Sequence, residues 1–142
     1  NDSALTALIE SASTVHRPVV HGIPAELGPY LGAEKFSEQL ATIGQPDIAL
    51  MGVADDGHIA SLFPDSTALS ASGEAVSVTD SAKEPRERVS CSLLYLSHAT
   101  YRIALQTGHN KRDIFVRLQQ GERLPLALFS PTHWFMDYNA TR

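Results

Sequence analysis

The order of apolar and polar positions along the chain predicts strands that alternate with helices. Apolar residues three and four apart predict helices, and short apolar or alternating runs bounded by turn residues predict strands. By these patterns, helices are expected at residues 4–12, 26–43, 93–98 and 110–119. Strands are expected at residues 47–53, 75–78, 88–92, 101–106 and 132–136. This alternation is typical of an α/β fold with a largely parallel sheet flanked by helices.

Two of these segments carry more specific expectations. The strand over residues 47–53 contains an unbroken apolar run, which is typical of a parallel strand covered on both faces. The helix over residues 26–43 is made irregular in its first half by Pro29 and Gly32. Its apolar side chains are expected to face mostly inward: Leu27, Tyr30, Leu31, Phe36, Leu40 and Ile43.

Composition narrows the classes of protein to consider. The 142 residues, 43% of them hydrophobic, are enough for one core, so we expect a single domain over residues 1–142. A net charge of −5 argues against a nucleic-acid partner, and no apolar run approaches the roughly 18 residues that would indicate a membrane span. The single cysteine, Cys91, excludes an internal disulfide and provides no metal-ligand set. We expect a globular, cytoplasmic protein.

Candidate chemistry lies directly after the strand over residues 47–53. In open parallel sheets, ligands bind beyond the carboxyl ends of the strands, and here that position holds Asp56, Gly57 and His58. An imidazole titrates near neutrality, so His58 beside carboxylates is a candidate for proton transfer. Asp56 either orients His58 or caps a helix expected over residues 59–63, and the two roles are compatible.

The glycines near this position are expected to have conformational roles. Gly57 is expected to give the turn a backbone shape closed to other residues or to let a ligand approach closely, and Gly52 to act similarly at the strand end. Asp55 and Lys83 are interpreted as solvated surface charges. Ser61 lacks the Gly-x-Ser-x-Gly elbow of a serine nucleophile, and no histidine pair has the HExxH or His-x-His spacing of a metal site.

Four motifs follow one another along the chain. The first is Asp-Gly-His-Ile-Ala-Ser-Leu-Phe-Pro at 56–64, preceded by Asp-x-x-Leu-x-Gly at 47–52. The others are Arg-Val-Ser-Cys-Ser-Leu-Leu-Tyr-Leu at 88–96, Thr-Gly-His-Asn-Lys at 107–111 and Trp-Phe-Met-Asp at 134–137. In this order they resemble the motifs of the 6-phosphogluconolactonases, which share an α/β superfamily with the glucosamine-6-phosphate isomerases and deaminases. The tryptophan, phenylalanine and methionine of the last motif are expected to pack in the core.

The resemblance implies a Rossmann-like domain that hydrolyses 6-phospho-D-glucono-1,5-lactone to 6-phosphogluconate in the oxidative pentose phosphate pathway. No metal or other cofactor is implied, and the small sugar-phosphate lactone is the implied partner. His58 would transfer protons and Asp56 would hold it, while Gly57 would contact the substrate at the turn. Arg88 and Lys111 would bind the 6-phosphate; Lys111 follows Gly108 at an expected helix N-terminus, which also favours anions.

The chain also departs from the family pattern. Ala54 replaces the second glycine of the usual Gly-x-Gly, and alanine would strain the turn if that position needed a positive φ. The Ser-Gly-Gly phosphate loop and the Asp-Glu-Arg segment of the family are not found. We therefore expect the C-terminal portion of a family domain, without its N-terminal strand-helix unit. Two alternatives stay open: a glucosamine-6-phosphate isomerase or deaminase-like enzyme, which the Ser-Leu-Phe at 61–63 counts against, and an inactive or non-catalytic sugar-phosphate-binding fragment.

Overall fold

The computed structural model describes residues 18–141, so the helix predicted over residues 4–12 lies outside the described residues. The strands are β1 Ile48–Gly52, β2 Ala75–Val78, β3 Arg88–Cys91, β4 Tyr101–Gln106 and β5 His133–Met136. The α-helices are α1 Pro29–Ile43, α2 Leu93–Ser97, α3 Arg112–Gln119 and α4 Pro125–Phe129. Short 3-10 turns occupy Ala25–Leu27, Thr67–Ser70, His109–Lys111 and Tyr138–Ala140.

The strands form a parallel sheet and a separate antiparallel pair. In the sheet, of order β1-β4-β5, Gly52 of β1 lies opposite Leu105 of β4, which in turn lies opposite Phe135 of β5. Strands β2 and β3 pair antiparallel. Each predicted strand is present within a residue or two of its expected limits. The predicted α/β class with a mostly parallel sheet is confirmed.

The helix predicted over residues 26–43 consists of two pieces. The 3-10 turn Ala25–Leu27 is separated from α1 by Gly28, whose φ of +80° sets the chain direction. Pro29 then begins α1, since its fixed φ suits the first helical position and its missing N–H is not needed there. The helix ends at Gly44, whose N–H donates to the Leu40 carbonyl oxygen. Pro29 thus starts the α-helix instead of disturbing it.

The inward face of α1 differs from the prediction. Gly32, Ala33, Phe36 and Leu40 are buried, whereas Tyr30 is 71% exposed. The other predicted inward residues, Leu27, Leu31 and Ile43, are also largely exposed. This face approaches its neighbours closely: a Cβ on Gly32 would lie 2.7 Å from the Pro24 carbonyl oxygen and 2.9 Å from Val89 Cγ2 of β3. Because Gly32 and Ala33 are small, the face of α1 that contains them can pack this closely, and it is the buried face.

One face of the parallel sheet carries the main core. Ala49 of β1 and Ala104 of β4 face buried side chains from three helices, among them Ile114 of α3 and Phe129 of α4. Trp134 of β5 packs against this cluster. These contacts hold the strands in place, and the loops that follow their carboxyl ends are positioned with them. The loop after β1 contains His58.

The opposite face of the sheet is open among the described residues. Side chains alternate along a strand, so Ala49 is buried while Ile48 and Leu50 are 60% and 57% exposed. Phe135, expected in the core, is 57% exposed on the same face. The expectation that β1 is covered on both faces is therefore wrong for residues 18–141, because α2, α3 and α4 pack on one side only. In that part of the chain, no helix has the length and hydropathy needed to cross a membrane.

Candidate active site

A tight turn at residues 54–58 follows β1. The Gly57 N–H donates to the Ala54 carbonyl oxygen (3.1 Å), and the Ala54 N–H donates to the His58 carbonyl oxygen (3.1 Å). Upstream, the Val53 N–H continues the sheet by donating to the Leu105 carbonyl oxygen (2.9 Å). The turn is thus closed by its own backbone and joined to the sheet, so it presents its side chains at the carboxyl end of β1.

Residues 59–63 do not form the expected helix. Ile59 and Leu62 pair as an isolated antiparallel bridge, and the Leu62 N–H donates to the Ile59 carbonyl oxygen at 2.8 Å. Ala60 has a φ of +50°, in the left-handed region that a right-handed helix cannot contain. The segment is therefore a reverse turn, and the prediction that Asp56 caps a helix is wrong.

Asp56 instead holds His58. One oxygen of its carboxylate, Oδ1, accepts the His58 backbone N–H at 3.1 Å and lies 2.6 Å from the imidazole Nδ1. This double contact closes an Asx-type turn, in which an aspartate oxygen replaces a backbone acceptor. The orienting role predicted for Asp56 thus has a defined geometry, because the same oxygen fixes both the main chain and the ring of His58.

The protonation pattern follows from this contact. Burial alone would raise the pKa of Asp56, but the hydrogen bonds from His58 and the charge of Lys83 outweigh it and hold that pKa below its usual value. An ionised carboxylate only accepts hydrogen bonds, so we assign the hydrogen of the neutral imidazole to Nδ1. Nε2 then carries the lone pair, which is the arrangement that a general base requires.

His58 is held but accessible. Its side chain is 14% exposed, and its ring centroid lies 4.3 Å from that of Phe63, which is buried. Within residues 18–141, Nε2 makes no hydrogen bond, and it is not among the buried atoms that lack a partner. The ring is therefore fixed on its Nδ1 side and free to exchange a proton on its Nε2 side.

Gly57 confirms the prediction of a backbone shape closed to other residues. Its φ is +86°, and a Cβ there would lie 2.8 Å from Leu124 Cδ1. Its carbonyl oxygen accepts the Leu126 N–H at 3.3 Å, so the turn rests on the start of α4. The matching conformational expectation for Gly52 is wrong, since its φ is not positive. A Cβ there would meet nothing within 4 Å, so the close approach of a ligand at Gly52 stays a prediction. Ala54 has no positive φ either, so alanine strains nothing there.

Arg88 reaches the site through Phe63. Its guanidinium carbon lies 5.3 Å from the Phe63 ring centroid, on the aromatic ring that also contacts His58. Nε donates to the Pro85 carbonyl oxygen (2.8 Å), and Nη2 donates to those of Lys83 (2.9 Å) and Glu84 (3.1 Å). The guanidinium therefore organises the loop before β3. Its Nη1 has no hydrogen-bond partner in the described part of the chain.

Lys111 lies at the same end of β1 as the turn. Its Nζ donates to the Val53 carbonyl oxygen, and its own carbonyl oxygen accepts from Gln106 Nε2 (2.8 Å). It belongs to the 3-10 turn that precedes α3. The nearby Gly108 N–H is already taken, because both carboxylate oxygens of Asp137 lie 3.1 Å from it. The Gly108 amide is therefore not available to an anion, whereas Lys111 brings a cation to this edge of the sheet.

Two residues that the sequence assigned to the solvated surface also belong here. Lys83 Nζ donates to Asp55 Oδ1 and lies 3.8 Å from Asp56 Oδ2. Lys83 and Asp55 are 28 positions apart, so no local spacing indicates the pair. Elsewhere, Ser61 uses its N–H to bond Ser90 Oγ (3.2 Å). Residues 18–141 contain no group of three or more His, Cys, Asp or Glu side chains placed to hold a metal ion.

Comparison with known proteins gives a consistent match. The family profile described as glucosamine-6-phosphate isomerases/6-phosphogluconolactonase matches residues 1–137. The human 6-phosphogluconolactonase is 36% identical over 134 residues, covering 84% of this chain and 52% of its own length. A probable 6-phosphogluconolactonase of Schizosaccharomyces pombe is 32% identical over 145 residues, covering 86% and 56% respectively.

Solved structures show the same relation. The crystal structure of devB protein superposes with a TM-score of 0.73 at 29% identity, covering 88% of this chain and 59% of that one. The chain thus spans about half the length of the curated relatives that it matches.

Proposed function

Because the chain belongs to the glucosamine-6-phosphate isomerase/6-phosphogluconolactonase family, we propose that its site hydrolyses 6-phospho-D-glucono-1,5-lactone to 6-phosphogluconate. The observation that carries the proposal is the contact of 2.6 Å between Asp56 Oδ1 and His58 Nδ1, which leaves Nε2 as the basic atom. Lactone opening needs an attacking water, a base for its proton and an acid for the departing ring oxygen. One imidazole can serve as that base and that acid in turn.

In the proposed reaction, Nε2 of His58 removes a proton from water as the water oxygen bonds to the lactone carbonyl carbon. The bond between that carbon and the ring oxygen then breaks. The imidazolium returns the proton to the ring oxygen, giving the open-chain acid and restoring the neutral ring. General acid–base catalysis of this kind contributes typically about 10² to 10⁴ in rate.

Asp56 has two functions in this scheme. Its negative charge, next to Nδ1, stabilises the imidazolium that forms when Nε2 takes the proton. Its second hydrogen bond, from the His58 N–H, keeps the ring at a fixed angle to the turn. Both functions require the ionised carboxylate, and the lowered pKa of Asp56 supports that state at neutral pH.

Arg88 and Lys111 are proposed to bind the 6-phosphate. The position of Lys111 at the carboxyl end of β1 supports its assignment. The assignment of Arg88 is supported by its Nη1, which makes no hydrogen bond to the loop in the described part of the chain. Gly57 is proposed to let the substrate approach the turn. We further propose a cytoplasmic enzyme whose partner is this small molecule, with no membrane involved. A nucleic-acid partner is not proposed, because the acidic composition argues against one.

The test is hydrolysis of freshly generated 6-phosphogluconolactone by the full chain, with spontaneous opening subtracted. His58→Gln is the variant and His133→Gln the matched control, because the His133 side chain is exposed on β5, beside Thr132 and Tyr101. Circular dichroism shows whether both variants fold. Release of ammonia from glucosamine 6-phosphate, measured in parallel, separates hydrolysis from a deaminase reaction.

We expect a rate above background that falls about 10²-fold or more in His58→Gln and is kept in His133→Gln. Hydrolysis that survives the loss of His58 would refute the mechanism. Tight binding of 6-phosphogluconate without turnover by the wild-type chain would instead support a binding module.

A further inference from the structure

We propose that Lys83 is a positioning residue for the pair Asp56–His58. The carboxylate of Asp56 is held from both sides: Oδ1 lies 2.6 Å from His58 Nδ1, and Oδ2 lies 3.8 Å from Lys83 Nζ. The cation thereby keeps Oδ1 turned toward the imidazole and the carboxylate ionised. The catalytic consequence of this inference rests on the proposed function, whereas the contact between Lys83 and Asp56 does not.

The backbone N–H and the backbone carbonyl oxygen of Lys83 are both hydrogen-bonded. Ser81, only 2% exposed, donates from Oγ to the Lys83 carbonyl oxygen (2.6 Å) and accepts the Lys83 N–H (3.2 Å). Arg88 Nη2 donates to the same carbonyl oxygen at 2.9 Å. Surface ion pairs usually contribute little, in part because two flexible side chains must be ordered. Here the loop already holds the Lys83 backbone, so only the side chain has to be ordered when the pair forms.

The second partner of Lys83 keeps the cation in place. Its Nζ donates to Asp55 Oδ1, and this hydrogen bond is the main reason that the pKa of Lys83 lies above its usual value. Lys83 thus stays charged while Asp56 titrates. The adjacent carboxylates at 55 and 56 would otherwise repel each other, and a shared cation between them removes that repulsion.

The other charged groups near Asp56 do not replace Lys83. Arg117 interacts with Asp56 only weakly, since its main partner is Glu122, at 2.5 Å. Arg88 directs Nε and Nη2 at loop carbonyl oxygens, and the ion-pair contacts of Asp56 in the described part of the chain are with His58 and Lys83. Among the described residues, Lys83 is therefore the cation in ion-pair contact with the Asp56 carboxylate.

The test compares Lys83→Met, which keeps the apolar stem, with Lys83→Arg and with Lys35→Met. Lys35 is a matched control, because it forms an exposed ion pair with Glu38 (2.8 Å) on α1, away from the turn. The first readout is the titration of the Asp56 carboxyl carbon by NMR, which needs no catalysis. The second is the separate measurement of kcat and KM for 6-phosphogluconolactone.

In Lys83→Met we expect the titration midpoint of Asp56 to rise by about 0.5 to 1 pH unit, as loss of one screened charge near 4 Å predicts. We also expect kcat to fall about five- to tenfold with KM changed less than twofold. Lys83→Arg should restore at least half of the kcat, and Lys35→Met should change neither readout.

An unchanged Asp56 midpoint in Lys83→Met would overturn the proposal. So would a raised KM with unchanged kcat, since that result would make Lys83 a substrate ligand. If the wild-type chain does not hydrolyse the lactone, the proposed function fails, and the Asp56 midpoint alone decides whether Lys83 positions the carboxylate.

Discussion

Replacing Gly57 with alanine tests how firmly the turn is seated on α4. The new Cβ would meet Leu124 at three atoms: Cδ1 at 2.8 Å, and Cβ and Cγ at 3.3 Å. Leu124 is 1% exposed, so it has little room to move away. The φ of +86° adds a separate cost, because an L side chain is strained in the left-handed region.

The two costs can be estimated apart. A left-handed alanine costs about 1–2 kcal/mol, partly offset by about 0.4–1 kcal/mol from the stiffer unfolded chain. Overpacking a buried site costs typically about 1–3 kcal/mol. Gly57→Ala should therefore lower the free energy of unfolding by about 2–4 kcal/mol. Gly121→Ala should cost only about 1 kcal/mol, because Gly121 has a φ of +83° and nothing within 4 Å of its Cβ position.

Urea unfolding followed by circular dichroism gives both values, and Leu124→Ala completes the comparison as a double-mutant cycle. In the Leu124→Ala background, the cost of Gly57→Ala should fall toward that of Gly121→Ala, since the contacts with Cδ1 and Cγ are gone and only the Cβ at 3.3 Å is left. Equal costs for Gly57→Ala and Gly121→Ala in the wild-type background would refute the reasoning, because Leu124 would then not confine the turn.

Two further predictions concern the carboxylate and the guanidinium at the site. Asp56→Asn should lower the free energy of unfolding by about 1 kcal/mol at pH 7. Because the pKa of Asp56 is lower in the folded state than its unfolded value of 3.8, this loss should shrink as the pH falls below 3.8. Urea midpoints that differ equally at pH 7 and near pH 2.5 would contradict it. Arg88→Lys should cost about 1–3 kcal/mol, because lysine cannot reproduce a planar set of bonds to three carbonyl oxygens. Arg86→Lys, whose side chain is 78% exposed in the same loop, is the control, and an equal loss in both variants would count against the loop-organising role.

The strands and most helices could be predicted because they depend on local patterns. Alternation in residues 75–78 and the apolar run of β1 indicate strands whatever surrounds them. The segment 59–63 shows the limit of such patterns. Its spacing of apolar residues suits a helix, but Ala60 takes a left-handed φ of +50°, and Pro64 disfavours helical backbone at the residue before it.

The candidate site was only partly visible in the sequence. Asp56 and His58 are two positions apart in one turn, so their contact could be expected. The pairing of Lys83 with Asp55 depends on how the loop after β2 folds back, and no spacing encodes it. Arg88 was expected as an anion ligand, but charge alone does not show that its N–H groups are directed at backbone carbonyl oxygens.

The bond from the Leu126 N–H to the Gly57 carbonyl oxygen makes α4 a reporter on the motion of the turn. An amide hydrogen in such a bond exchanges with solvent only when the bond opens, on a timescale that hydrogen–deuterium exchange can follow. The exchange rate at Leu126 therefore measures how often the turn detaches from the helix, with no ligand present. Such a detachment separates the turn from α4 and leaves in place the two contacts by which Asp56 holds His58, because these lie within the turn. The exchange rate thus reports the local stability of the support beneath the site, separately from the global free energy of unfolding.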